Sequence, residues 1–179
     1  MIDPIEDIRA SFAQLLEETQ AALDRRVNQY PALVAACRMT EQDAANEIRI
    51  WRAIVADWRW VVTGEGNWTA AIEEKVAVLE ESIRRYGSAL RQTVAGMPPD
   101  VRKSCQEIKD LHFLSDLHGQ SVTQFLTLLE NAERLEDIRA VYASELPGNP
   151  PWRGLWRGMA QYLAFHHDAR MGRRARTSA

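Results

Sequence analysis

Residues 44–62, AANEIRIWRAIVADWRWVV, decide the fold class of this chain. Apolar residues return there at steps of four, three, four, three and four: Ala44, Ile48, Trp51, Val55, Trp58 and Val62. Steps that average about 3.5 residues place all of them on one face of an α-helix, as in coiled-coil-like packing. The stretch therefore predicts a helix that buries one face against other helices.

Residues on either side mark where this helix begins and ends. Thr40 is the predicted first residue, and Glu41 and Asp43 in the first turn suit the positive end of the helix dipole. Gly64 is a common stop after a helix.

The same period recurs along the rest of the chain. Asp3-Pro4 predicts a helix start, and Pro31 predicts that this first helix ends or kinks near residues 29–30. A third helix is expected to open around residues 67–69 and to end at residues 96–100. Gly87 lies inside it and predicts a close helix crossing.

Residues 100–146 are apolar on most sides, which predicts a helix surrounded by others. The apolar residues are Val101, Cys105, Ile108, Leu111, Phe113, Leu114 and Leu117. Gly119 predicts a stop, and Ser121 with Gln124 predicts a capping box for a second piece. One kinked helix and two separate helices both fit this pattern.

The predicted architecture is an all-α bundle of five or six amphipathic helices, mostly antiparallel, with no β-sheet. Residues 1–146 are predicted to form the bundle core and residues 147–151 a proline-rich linker. Residues 152–172 are predicted to form a C-terminal helix that packs on the bundle, and residues 173–179 a basic flexible tail.

Bulk composition fits a globular protein of 179 residues, with 46% hydrophobic and 26% charged residues. The acidic start lacks the features of a secretory signal, and no apolar run is long enough for a membrane span. Cys37 and Cys105 lie far apart, on apolar stretches, which predicts inert packing and no disulfide or zinc framework. These features predict a cytoplasmic protein.

Charge divides the chain into an acidic body and a basic end. From Pro151 onward, six arginines and one acid give +5, so the remainder must carry −8 to reach the total of −3. Nucleic-acid binding is not expected, because aromatic residues do not interleave with the arginines after Phe165.

Two patterns suggest chemistry. His112 and Asp116 are four residues apart and share a helix face, and His166 and His167 on the last helix complete an alternative metal set. Against it, the chain contains no Glu-x-x-His, the motif of bundle di-iron sites. No hydrolase or phosphate-loop motif occurs either.

The second pattern is Trp-Arg, which occurs four times. Trp51 and Trp58 lie on the heptad face and are predicted to be core. Because Trp and Arg are enriched in binding hot spots, the two pairs after the linker are predicted to bind a partner. Trp60, which lies off the heptad face, and the arginines of the basic end are predicted to join them. The predicted partner-binding residues are Trp60, Trp152, Arg153, Trp156, Arg157, Arg170, Arg173 and Arg174.

The sequence thus predicts a non-enzymatic helical adaptor, assembly factor or accessory subunit that needs no cofactor and binds another protein of unknown identity. The alternative is a metal- or cofactor-dependent bundle enzyme that uses the His and Asp residues. Heptad faces also leave homodimer formation open.

Overall fold

The computed structural model describes residues 4–63, 70–108 and 110–143. They form six helices: α1 (Pro4–Ala35), α2 (Glu41–Thr63), α3 (Ile72–Gly96), α4 (Pro99–Glu107), α5 (Leu111–His118) and α6 (Gln120–Ala143). The described part of the chain has no strand, and the predicted all-α class is confirmed.

The helices fall into two compact units. The first contains α1, α2, α3 up to Val78, and α6 from Ile138 onward. The second contains Leu79–Asp137. The predicted boundaries at 146, 151 and 172 lie outside the described residues.

In the first unit, α1 and α2 pack as an antiparallel pair. Arg26 forms an ion pair with Glu47 at 2.9 Å, and Arg59 donates to Gln20 at 3.5 Å. Since the earlier residue of α1 pairs with the later residue of α2, the two helices run in opposite directions. At the start of α2 the Thr40 hydroxyl accepts the Asp43 backbone N–H at 3.0 Å, which confirms the predicted N-terminus.

Helix α2 is buried on more sides than its heptad stripe predicts. Beside Trp51, Val55 and Trp58, several residues off that stripe are less than 5% exposed, namely Ile50, Ala53, Ile54 and Asp57. Partners on more than one side, including α1, the start of α3 and the end of α6, explain this burial.

Helix α1 continues through Pro31 to Ala35, so the predicted end near residues 29–30 is wrong. Proline removes one backbone hydrogen bond, which would leave the carbonyl of Val27 without its partner. Val27 and Pro31 are both exposed, so water can satisfy that carbonyl. Tyr30, 3% exposed, anchors this turn in the core.

The second unit contains the chain from residue 100 to 137, which forms three helical elements where the sequence left one or two open. Helix α4 begins at Pro99, and α5 ends just before Gly119, whose positive φ of 52° is a conformation that glycine adopts without strain. Its small core consists of Met97, Val101, Leu114 and Val122. The predicted stop at Gly119 is confirmed.

Gly87 does not mark a close crossing among the described atoms. A Cβ built there meets only the Arg91 side chain, at 3.6 Å, an ordinary contact. Alanine has the higher helix propensity, so Gly87→Ala should raise the free energy of unfolding by about 0.5–1 kcal/mol. Urea denaturation followed by circular dichroism measures it, and a loss of stability would reveal a crowded site.

None of the helices in the described residues is both long enough and apolar enough to cross a membrane.

Candidate functional site

Helix α5 is a short element with a backbone hydrogen bond at each end. Asp110 precedes it, and its carboxylate accepts the backbone N–H of Phe113 at 3.1 Å, a typical N-cap bond. At the other end the Gly119 N–H donates to the Ser115 carbonyl at 2.7 Å. Both ends of this eight-residue helix therefore have hydrogen-bonded backbone groups.

One side of α5 is anchored in the core of the second unit. Leu114 is fully buried and packs with Met97, Val101 and Val122. Because residues advance by about 100° along a helix, anchoring Leu114 also sets the direction of every other side chain of α5.

Phe113 and Leu117 lie on a different side of α5 and are exposed to solvent. Phe113 is 56% exposed and Leu117 53%, the highest values among the large hydrophobic residues found exposed in the described chain. Four residues apart, they lie about 40° from each other around the helix and form one surface. We call this surface, Phe113 and Leu117, the α5 apolar face.

The prediction that residues 100–146 form a helix surrounded by others fails at Phe113 and Leu117, which are exposed. Apolar spacing shows which residues share a side of a helix, but it does not show whether a neighbouring helix covers that side. In the second unit the described neighbours cover Leu114 and leave the α5 apolar face open.

The charges beside the α5 apolar face are acidic. Asp110 and Asp116 are both exposed, and they lie on either side of the Phe113–Leu117 line around the helix. Over residues 110–120 no other residue is charged at pH 7 when histidine is neutral. The surface therefore combines two large apolar side chains with a negative border.

A buried polar cluster ties together three helices of the first unit. The Lys75 ammonium donates to Asp57 Oδ2 at 2.5 Å, and the Tyr142 hydroxyl donates to the same oxygen at 2.7 Å. The Lys75 ammonium also lies 5.3 Å from the centre of the Tyr142 ring. All three residues are 5% exposed or less, so we call them the buried Asp–Lys–Tyr cluster.

Burial controls the protonation of this cluster. Desolvation raises the pKa of Asp57 above 3.8, against the opposing effects of the hydrogen bonds from Lys75 and Tyr142 and of the Lys75 charge. Oδ1 of Asp57 has no hydrogen-bond partner among the described atoms. Desolvation and the nearby Asp57 carboxylate raise the pKa of Tyr142 well above 10.

The raised pKa of Asp57 gives a pH-dependent prediction. Stability from this carboxyl is fully present below pH 3.8, its unfolded value, and is lost as pH rises through the folded pKa. Wild type should therefore lose stability over that window relative to the variant Asp57→Leu/Lys75→Met/Tyr142→Phe, which lacks the titration. Urea denaturation across pH 3–7 measures the difference, and parallel pH profiles would contradict it.

Asp57 and Lys75 were not predicted from the sequence as site residues, although each is a charged residue within an apolar pattern. Asp57 interrupts the apolar run of residues 53–58, and Lys75 lies between the apolar positions 72, 76 and 79 of α3. A single charge on an otherwise apolar side of each helix is the pattern of a buried pair. Pairing them across two helices required the tertiary structure. The burial of all three side chains supports a structural role for the cluster.

The predicted partner-binding residues fall mostly beyond the described chain. Trp60 lies near the end of α2 and is partly buried. The remaining ones, Trp152, Arg153, Trp156, Arg157, Arg170, Arg173 and Arg174, lie outside the described residues. Their role in binding stays a prediction. Trp51 and Trp58 are core residues, at 0% and 2% exposure.

The alternative metal set is not brought together by the described residues. Asp116 is exposed, whereas the side chain of His112 and both His166 and His167 lie outside the part of the chain that is described. Among the described residues, no group of three or more His, Cys, Asp or Glu side chains is placed to hold a metal ion.

The two cysteines differ in environment. Cys37 is exposed, with a positive φ of 53°, just after α1, so the prediction that it packs in an apolar stretch is wrong. Cys105 is partly buried against the core of the second unit, and its thiol lies 3.7 Å from the Met97 sulfur. Desolvation raises the pKa of the Cys105 thiol, which keeps it protonated and unreactive at neutral pH.

A shallow depression of about 420 Å³ follows one side of α3 in the second unit. Its basic residues include Arg84 and Arg85, which both form ion pairs with Glu81, at 2.6 and 2.9 Å. Both arginines are at least half exposed, so this is a solvated charged surface.

Comparison with known proteins adds no family assignment: no protein-family model, curated protein or solved structure matches this chain. The function therefore has to be argued from the site itself.

Proposed function

We propose that this chain is a non-enzymatic helical adaptor, assembly factor or accessory subunit that binds another protein through the α5 apolar face. One observation carries the proposal: Phe113 and Leu117 are each more than half exposed and adjacent, on a helix that Leu114 holds in place. Exposed apolar surface is unfavourable in water, and a partner that covers it gains the hydrophobic free energy of both side chains.

The chemistry of the face indicates the partner's chemistry. Phe113 and Leu117 suit an apolar ridge, such as one side of an amphipathic helix laid across α5. The acidic border formed by Asp110 and Asp116 favours a partner whose ridge is flanked by Lys or Arg, since complementary charges raise association rates and exclude wrong partners. The proposed partner is thus a basic amphipathic helix of another protein.

Site-specific crosslinking in cells tests the proposal. A photoreactive phenylalanine analogue at position 113, or at 117, should capture one and the same protein. The same analogue at Val27, an exposed apolar residue of α1, is the matched control and should not capture it. Capture of the same proteins from all three positions would show non-specific contact and reject the proposed site.

Binding of the captured protein, once purified, completes the test. Phe113→Ser should weaken binding about four- to twelvefold, because Phe113 is 56% exposed and covering that part contributes about half of the roughly 1.5–3 kcal/mol of a fully buried apolar side chain. Val27→Ser should leave affinity unchanged. Equal affinities of wild type and Phe113→Ser would contradict the proposal, provided that circular dichroism shows both variants folded.

A further inference from the structure

We propose that a second copy of this chain competes for the α5 apolar face through its own Trp–Arg segment, residues 152–157. The inference rests on the proposed function, because both assign the same face as a binding surface. It adds an identified occupant, since the chain itself carries a sequence with the partner chemistry that this face requires.

Spacing is the first reason. In residues 152–157, WRGLWR, the two tryptophans are four residues apart and so are the two arginines. On a helix each pair shares a side, and the two sides are neighbours. A helical segment of this sequence would present two aromatic side chains four residues apart to Phe113 and Leu117, with Arg153 and Arg157 beside them.

Charge is the second reason. The chain from Pro151 onward carries +5 and the remainder −8. The basic end of one copy is therefore attracted to the acidic residues 1–150 of another. On the face itself, exposed Asp110 and Asp116 border the apolar pair. The arginines that follow each tryptophan match this border, which fixes how the segment lies.

A second copy as the source of the segment is compatible with the closed symmetry that most homo-oligomers have. Each of two copies can give its segment to the face of the other, and this exchange forms a closed dimer with two identical contacts. Each contact is small, so the dimer should be concentration-dependent, and an external partner that binds the face should dissociate it.

Exchange of charges between copies tests the proposal on the full-length chain. Asp116→Arg places arginine opposite Arg157, and Arg157→Asp places aspartate opposite Asp116. Each variant alone should dimerise at least about tenfold more weakly than wild type, because like charges meet at both contacts. An equimolar mixture should restore dimers, since each contact then pairs one arginine with one aspartate.

Sedimentation velocity over a range of concentrations measures these dissociation constants. The matched control is Arg52→Asp, which changes an exposed arginine that also follows a tryptophan and should not alter dimerisation. Trp152→Ser/Trp156→Ser should weaken the wild-type dimer. Circular dichroism confirms that each variant remains folded.

Three outcomes would overturn the proposal: a monomer at every concentration, a dimer that Asp116→Arg leaves unchanged, or a mixture that stays monomeric. The first outcome is also what a contact within one chain would give, and the third, with weakened single variants, shows that residues 116 and 157 do not face each other. Capture of another protein from position 113 is a separate measurement. If it succeeds while dimerisation fails, the proposed function stands and only self-association is rejected.

Discussion

Replacement of Lys75 by methionine is expected to lower the free energy of unfolding by about 3–5 kcal/mol. The Lys75 ammonium is one of two donors to Asp57 Oδ2, and both side chains are 5% exposed or less. Without lysine the Asp57 carboxylate is buried with the Tyr142 hydroxyl as its remaining donor. A buried carboxylate that has lost its partner keeps its full desolvation penalty. This free energy is several times larger than that of a surface ion pair.

A triple variant separates loss of the pair from loss of packing. Asp57→Leu/Lys75→Met/Tyr142→Phe replaces the cluster with apolar side chains of similar size, and buried ion pairs often tolerate such replacement without loss of stability. We expect this variant to recover most of the stability that Lys75→Met loses. Urea denaturation followed by circular dichroism at pH 7 compares them.

A surface ion pair serves as the control for charge removal in general. Arg85→Met breaks the exposed pair with Glu81 and should cost no more than about 0.5 kcal/mol. The loss in Lys75→Met should also shrink below pH 3.8, because the raised pKa of Asp57 keeps this carboxyl protonated there. A loss near that of Arg85→Met, or a triple variant as unstable as the single one, would refute the energetic role of the cluster.

The second large effect is expected at Trp51. Trp51→Ala should destabilise the first unit by about 3–5 kcal/mol, the range for removal of a buried aromatic side chain. Trp51 is fully buried, and the Arg26 guanidinium lies 4.1 Å from the centre of its ring. We expect a value near the upper limit, because the alanine variant also removes this cation–π contact from a desolvated site.

Trp51→Phe is the matched control, since it keeps an aromatic face for Arg26 and leaves a smaller cavity. It should lose less than half of what Trp51→Ala loses. Arg52→Ala, at the neighbouring exposed position, should stay within about 0.5 kcal/mol of wild type. Similar losses in all three variants, measured by urea denaturation, would show that burial of Trp51 does not decide the stability of this unit.

These effects separate the parts of the molecule that maintain the fold from the part proposed to bind. The buried Asp–Lys–Tyr cluster joins α2, α3 and α6, and any packing that separates Asp57 from Lys75 leaves a charge unpaired. The α5 apolar face has the opposite character, because Phe113 and Leu117 are exposed although burial is favourable for them.

Local chemistry explains which predictions from sequence are confirmed. The start of α2 at Thr40 and the stop at Gly119 depend on backbone geometry and on hydrogen bonds within a few residues. The predicted helix end at Pro31 and the predicted close crossing at Gly87 were wrong because both depend on the surroundings. An exposed proline can remain in a helix, and a glycine needs a close neighbour before its lack of a side chain matters.

The sequence by itself determined the helical class, because apolar spacing near 3.5 residues is a local property of each segment. It also determined that Trp51 and Trp58 are core residues. Only the tertiary structure decided that Asp57, Lys75 and Tyr142 meet, and that Phe113 and Leu117 remain open while Leu114 is covered. The physical reason is that contact and burial depend on which helix lies opposite, and residues distant in the sequence supply that helix.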